Sequence, residues 1–251
     1  MDLIGSFCIA FSLYSRIPMP QVKWTEKRMR LALLFFPLVG FPVGLGEYLL
    51  LPLVRLHFGI PAAAVCAALL PVFLTGGIHL DGYLDVTDAL SSWQSCQRRL
   101  EILKDPHVGS FAVIGAASCL LWTYGLFTAF DCGHLPALLW IPVLCRALSG
   151  LCLLHFPKAK KDGLGATFAD AADQQTVTAA LLLYVLLSLT ALFFTEGISA
   201  LWFLPVLFWH LLRYHRIALR DFGGVTGDLA GWFLVRTEIG LLTVLVCWNV
   251  L

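Results

Sequence analysis

Charge is what this sequence has least of. Only 13% of its 251 residues are Asp, Glu, Lys or Arg, against about 25% in an ordinary soluble domain. That shortage leaves too little polar surface to face water on every side, so a soluble globular domain is excluded. The eight cysteines include no C-x-x-C pair and sit mostly in apolar stretches, so they read as small core hydrophobes rather than ligands or disulfides. The N-terminus carries neither a basic n-region nor a cleavage site, and no removable signal peptide is expected. No repeat or low-complexity tract stands out. A net charge of +1 gives no pull toward nucleic acid, which is not expected as a partner. What remains is apolar: 59% of residues are hydrophobic and the mean hydropathy is +0.83. The expected architecture is all-α, a single membrane-embedded helical bundle over residues 1–251 with lipid around it.

Seven apolar stretches approach the length of about 20 residues that a bilayer crossing needs. They cover 31–54, 60–80, 110–130, 135–156, 177–194, 198–212 and 229–251, the sixth being short. A further segment, Leu3–Tyr14, reads as amphipathic or re-entrant. Basic residues then set the orientation. Arg16, Lys23, Lys27, Arg28 and Arg30 precede the first span, and Arg98, Arg99 and Lys104 follow the second. Lys158, Lys160 and Lys161 follow the fourth, and Arg213, Arg216 and Arg220 follow the sixth. These four alternate segments are expected in the cytoplasm, with the protein multi-pass in the cell (inner) membrane. Gly40-x-x-x-Gly44, with Gly46, lets the first span pack closely on a neighbour.

The strongest constellation is His79-Leu-Asp81-Gly-Tyr-Leu-Asp85-Val-Thr-Asp88, closing the second span. In a helix Asp81, Asp85 and Asp88 fall at i, i+4 and i+7, on one face. Like charges so placed destabilise a helix and cost more beside lipid. A hard cation with oxygen ligands, Mg²⁺, is the natural compensation. His79 falls off that face, and Gly76-Gly77 before it can bend the backbone.

Two other segments share the same side. Lys104-Asp105-Pro106-His107 opens the third span, where Asp105 reads as an N-cap with Pro106 at the first helical position. It also adds a carboxylate and an imidazole. Asp221-Phe-Gly223-Gly224-Val-Thr226-Gly227-Asp228 leads into the last span. A glycine-rich turn at a helix start can offer backbone N–H groups to phosphate; the bland alternative is a flexible loop with Asp228 as N-cap. Mid-span Arg146 needs an acid or a substrate phosphate, and Glu47 is one candidate partner. Acids interleaved with Arg and Lys on one membrane face suit metal-assisted handling of a diphosphate.

In order and spacing these segments resemble the cobalamin synthase family, the adenosylcobinamide-GDP ribazoletransferases. The resemblance runs from Phe7-x-x-x-Phe11 and Arg16-Ile17-Pro18-x-Pro20 through Phe36-Pro37-Leu38-Val39-Gly40. Its most specific part is Gly76-Gly77-x-His79-Leu80-Asp81-Gly82-x-x-Asp85-x-x-Asp88. Lys104-Asp105 with Gly109-x-Phe111, and Gly223-Gly224-x-Thr226-Gly227-Asp228, complete it. Pro106-His107 and Ala89 depart from the family pattern without removing a carboxylate. The resemblance implies an Mg²⁺-dependent enzyme that joins α-ribazole, or its 5′-phosphate, to adenosylcobinamide-GDP and releases GMP. It implies Asp81, Asp85 and Asp88 as metal ligands, with Asp228 or Asp105 near a second metal. Asp105, His79 and His107 are the base candidates, and Arg16, Lys104 and Arg146 the groups for phosphate charge. Gly223, Gly224, Thr226 and Gly227 complete the expected substrate contacts. Competing readings are a prenyltransferase, a CDP-alcohol phosphotransferase or an ion-coupled transporter, and the oligomeric state is left open.

Overall fold

The computed structural model describes residues 2–159 and 164–248. Lys160 and Lys161 of the third basic segment, and the last three positions of the final span, lie outside the described residues. Among these residues eleven α-helices follow one another: α1 (Leu3–Tyr14), α2 (Glu26–Met29), α3 (Phe36–Thr75), α4 (Ile78–Ser91), α5 (Cys96–Ile102), α6 (Ser110–Ala129), α7 (Leu135–His155), α8 (Leu164–Ala171), α9 (Gln174–Glu196), α10 (Phe203–Phe222) and α11 (Gly227–Trp248). Among the described residues no strand forms, only an isolated parallel bridge between Lys158 and Val225.

Among the described residues, five helical stretches are long and apolar enough to cross a membrane: Glu26–Thr75, Ser110–Ala129, Cys132–His155, Gln174–Phe222 and Gly227–Cys247. The expected count of seven separate spans is not reproduced, because two expected boundaries fall inside continuous stretches of 50 and 49 residues. Each of these is more than twice the length of about 20 residues that one crossing needs. Within the first, Gly59 has φ +83° and interrupts the helix. A Cβ added to Gly46 would stand 2.7 Å from Leu70, so the two halves of α3 lie side by side around that glycine. Within the second, Gly197 at φ +63° ends α9, and a 3₁₀ turn leads into α10.

The core forms around α7, whose residues Leu138, Leu144, Cys145 and Ala147 are all fully enclosed. Gly40 and Gly44 identify the neighbour that the first span approaches. Cβ atoms there would stand 2.6 Å from the Pro142 carbonyl and 2.3 Å from the Leu138 carbonyl of α7. Helices in lipid gain little from apolar burial against one another, so such close backbone contact is a main source of cohesion. Cys8, Cys119, Cys145 and Cys152 are buried thiols, and all eight cysteines are free.

Two placements differ from expectation. Arg213, Arg216 and Arg220 sit on α10 itself, not in a loop after it. Asp105 does not cap α6: that helix starts at Ser110 with Gly109 as its N-cap, and four residues of irregular chain separate it from Asp105 because Pro106 and Gly109 interrupt the turn. The short helix α1, about 18 Å long at 1.5 Å per residue, falls short of a hydrocarbon core of about 30 Å. It is tied to α2 by the Asp2–Arg28 ion pair at 2.6 Å and by the Ser6 hydroxyl donating to the Arg28 carbonyl at 2.7 Å. Replacing Gly44 by Leu drives a side chain into the α7 backbone and is expected to destabilise the protein by roughly 1–3 kcal/mol or more. A lower melting temperature of the detergent-purified protein, with no loss from the same change at Gly125, checks this.

Candidate active site

The acids do not close a membrane span. Gly76 and Gly77, at φ +68° and +79°, break the chain after Thr75, and Ile78 starts a new helix, α4, of 14 residues. Left-handed backbone is open to glycine at little cost, so the Gly-Gly pair acts as the joint. On α4 the buried positions Gly82, Val86 and Ala89 form one face, one residue on from Asp81, Asp85 and Asp88. The small buried face lets α11 approach. A Cβ on Gly82 would stand 2.8 Å from the Asp228 carbonyl oxygen, and one on Gly231 would stand 3.1 Å from the His79 carbonyl oxygen. This antiparallel contact sets Asp228 beside the α4 acids. Asp228 lies in the first turn of α11, where a helix favours negative charge. The Thr226 hydroxyl caps that helix by accepting from the Leu229 N–H at 3.1 Å.

Two cavities meet at Asp81. The larger, of about 410 Å³, is lined by Asp81 and Asp228, by Lys104 and Lys158, and by the aromatic residues Tyr14 and Phe36 with His79. The smaller, of about 40 Å³, is lined by Asp81, Asp85, Asp88 and His107. None of the four acids forms an ion pair with a described residue. The Asp85 carboxyl is pushed up to about 6 by partial burial, and then by the charges of Asp81, Asp228 and Asp88. The Asp88 carboxylate packs on Gly109, where any Cβ would collide with it at 2.2 Å. Among the described residues, no three acid, imidazole or thiol groups stand together at ligand distance. The donor set is nonetheless one a hard divalent cation prefers: oxygen from four carboxylates, none of them ion-paired with a described residue.

The remaining expected residues divide. Lys104, Thr226 and Gly227 reach the large cavity, and His79 lies on its wall. The His79 ring is stacked on Tyr14 and tilted against Phe36, and its Nε2 has no hydrogen-bond partner. Asp105 and His107 turn to each other instead, with Nδ1 to Oδ1 at 2.7 Å, and the His107 side chain is 90% exposed. Arg16 lines neither cavity; its side chain lies over Gly76, within 2.8 Å of where a Cβ would be. Arg146 is deep in the bundle, donating to Glu238 at 2.7 Å and to the Pro142 carbonyl at 3.0 Å. Its partner is therefore Glu238, not Glu47. Both acids, with His79, line a separate interior chamber of about 100 Å³.

The glycine-rich turn uses its own N–H groups. Gly223 (φ +71°) ends α10, and both its N–H and that of Gly224 go to the Ala218 carbonyl. The Val225 N–H donates to the Pro157 carbonyl at 2.7 Å. The phosphate-cradle reading of Gly223 and Gly224 therefore has no free N–H there to rest on. Sequence reasoning passed over Tyr14, Ser149 and Lys158 as cavity residues. Tyr14 and Ser149 carry no motif, and Lys158 is one of three lysines in an ordinary basic segment.

Fold and cavity together define a multi-pass, all-α membrane protein with an acid-walled cavity. Residues 6–246 match the family model described as cobalamin-5-phosphate synthase. The chain belongs to that family and is a transferase. It is 39% identical over 240 residues to an adenosylcobinamide-GDP ribazoletransferase of Lachnoclostridium phytofermentans, covering 95% of this chain and 92% of the relative. Relatives of the same name from Desulfitobacterium hafniense (34%, 95% of each chain) and Clostridium perfringens (31%, 92% of each) are similar throughout. No solved structure matches the chain.

Two outcomes follow from these charges. Asp85 titrates near 6 in the fold against an ordinary 3.8, so the fold holds a proton that the unfolded chain has released. Stability from this group is present at low pH and lost as pH rises through that window. Asp85→Asn should therefore raise the melting temperature of metal-free protein at about pH 7.5, the gain vanishing below about pH 4. Glu238→Gln leaves the Arg146 guanidinium buried and unpaired, with an expected loss of about 3–5 kcal/mol. The double change Arg146→Met with Glu238→Leu should recover most of the melting temperature.

Proposed function

We propose that this chain transfers the adenosylcobinamide phosphate moiety of adenosylcobinamide-GDP to α-ribazole, or to its 5′-phosphate, with release of GMP. The observation that carries this reading is the 410 Å³ cavity, in which Asp81 and Asp228 share one enclosure with Lys104 and Lys158. It is supported by the printed name of the relatives, which align along almost the whole chain.

The reaction is attack by a ribose hydroxyl on the cobinamide-linked phosphorus of a diphosphate, with GMP as leaving group. Such transfers are driven by positioning and by stabilising charge rather than by covalent help from the protein. Asp81, Asp85, Asp88 and Asp228 would hold Mg²⁺, which when bound neutralises the diphosphate and the charge that builds on the departing oxygen. Lys104 supplies positive charge to the phosphate. His79 takes the proton of the attacking hydroxyl at Nε2, an atom with no competing partner. Asp105 and His107 are engaged with each other at the surface, and the base role passes from them to His79. Arg146 keeps the bundle together through Glu238 rather than meeting phosphate.

The acid end faces the cytoplasm in this reading, as the alternating basic segments require, and the membrane is the cell (inner) membrane. GMP release from adenosylcobinamide-GDP and α-ribazole should require Mg²⁺. It should fall by about 100-fold or more in Asp81→Ala, Asp85→Ala and Asp88→Ala, since each leaves the site a donor short. Turnover that survives chelation, or all three substitutions, would overturn the assignment. A cysteine introduced at Val108 in a cysteine-free background should react with an impermeant maleimide only from the cytoplasmic side.

A further inference from the structure

Building on the phosphate-transfer reading above, the geometry points to Lys158 as a phosphate-binding side chain of the large cavity, held ready by Asp170. Two described lysines line that cavity, Lys104 and Lys158. Arg16 lines neither it nor its smaller neighbour, and Arg146 is committed to Glu238 in the interior chamber. The N–H groups of Gly223, Gly224 and Val225 are all spent on backbone carbonyls. A diphosphate entering between the acids meets repulsion that side-chain cations must offset.

The backbone around Lys158 is fixed more firmly than its loop position suggests. The Pro157 carbonyl accepts from Val225 at 2.7 Å, and the Ala159 N–H donates to the Val225 carbonyl at 3.1 Å. These two bonds make the parallel bridge across Lys158. Gly224, at φ +155°, permits the approach, for a Cβ there would stand 2.3 Å from the Ala159 nitrogen. The glycine-rich turn thus delivers a lysine to the cavity while its Gly223, Gly224 and Val225 amides are bonded elsewhere.

The Lys158 ammonium is paired with Asp170 of α8, whose side chain is 60% exposed, while that of Lys158 is 24% exposed. An ion pair with so exposed an acid contributes little, about 0–1 kcal/mol. A phosphate oxygen, with its greater charge, competes well for the same ammonium. Asp170 is therefore a positioning residue: it holds the ammonium at the cavity rim and yields it to the ligand.

The test uses inorganic pyrophosphate with Mg²⁺ as the probe on the full-length protein in detergent, read as a dose-dependent rise in melting temperature. Wild type should respond, Lys158→Ala should bind roughly 10- to 100-fold more weakly, and Lys158→Arg should stay within a few-fold of wild type. Asp170→Asn should bind somewhat more tightly, since the internal competitor is gone; unchanged binding would remove Asp170 from the proposal. In turnover, Lys158→Ala should raise KM for the diphosphate substrate more than it lowers kcat. Lys158→Gln, which keeps much of the aliphatic stem, serves the same test if the alanine variant does not fold. Pyrophosphate binding by Lys158→Ala within twofold of wild type overturns the assignment, as does a wild type that does not respond to pyrophosphate. A wild type that binds pyrophosphate but never releases GMP leaves Lys158 standing and refutes the transferase reading instead.

Discussion

The contact of α4 with α11 is the constraint on which the site depends. Gly82 and Gly231 bring two helix backbones together closely enough that Asp228 joins the acids of α4. Four carboxylates then share a small region at the edge of an apolar bundle, where like charges repel strongly. Partial burial first, and that repulsion second, raise the Asp85 carboxyl above its ordinary range. Cohesion comes from elsewhere, chiefly from the enclosed faces of α7 and the glycine contacts of α3 against it. The bundle can carry an unfavourable cluster because the cluster is not what holds it together.

Charges in this protein fall into two groups that composition alone does not separate. Arg146 is 1% exposed and finds Glu238; Arg99 finds Asp221 and ties α5 to α10. These are charges paired inside the fold, as burial in or near lipid demands. Asp81, Asp85 and Asp88 form no ion pair with a described residue, and they border open space instead. In the proposed function, these unpaired acids beside a cavity are the groups that meet a ligand. The same residue types thus serve cohesion in one place and chemistry in another, and the difference is whether a partner lies within reach.

Much of this was legible in the residues. The i, i+4, i+7 spacing of the α4 acids needs only helical geometry, and the Gly-Gly joint before them needs only the freedom of a residue without a Cβ. The low charge content and long apolar runs required a membrane bundle. Side-chain and amide partners were not legible in the same way. Asp105 and His107 stand two residues apart and look like a site, yet they turn to each other at the surface. Gly223 and Gly224 look like a phosphate cradle, yet their amides close a helix end. Lys158 looks like one more positive-inside lysine, and only the strand-like bridge to Val225 brings it to the cavity.

By itself, then, the sequence determined what short-range physics governs: an all-α chain that requires lipid, the helix face that carries three acids, the glycines where the backbone can bend, and the family to which these motifs belong. The tertiary structure alone decided which charges neutralise one another. It paired Arg146 with Glu238 across 92 positions of chain, set Asp228 against Gly82, and joined the residues after α7 to the turn before α11. Periodicity fixes the direction of a side chain relative to its own helix. Its neighbour is chosen only when that helix packs, and here packing is set by where glycines allow backbones to touch.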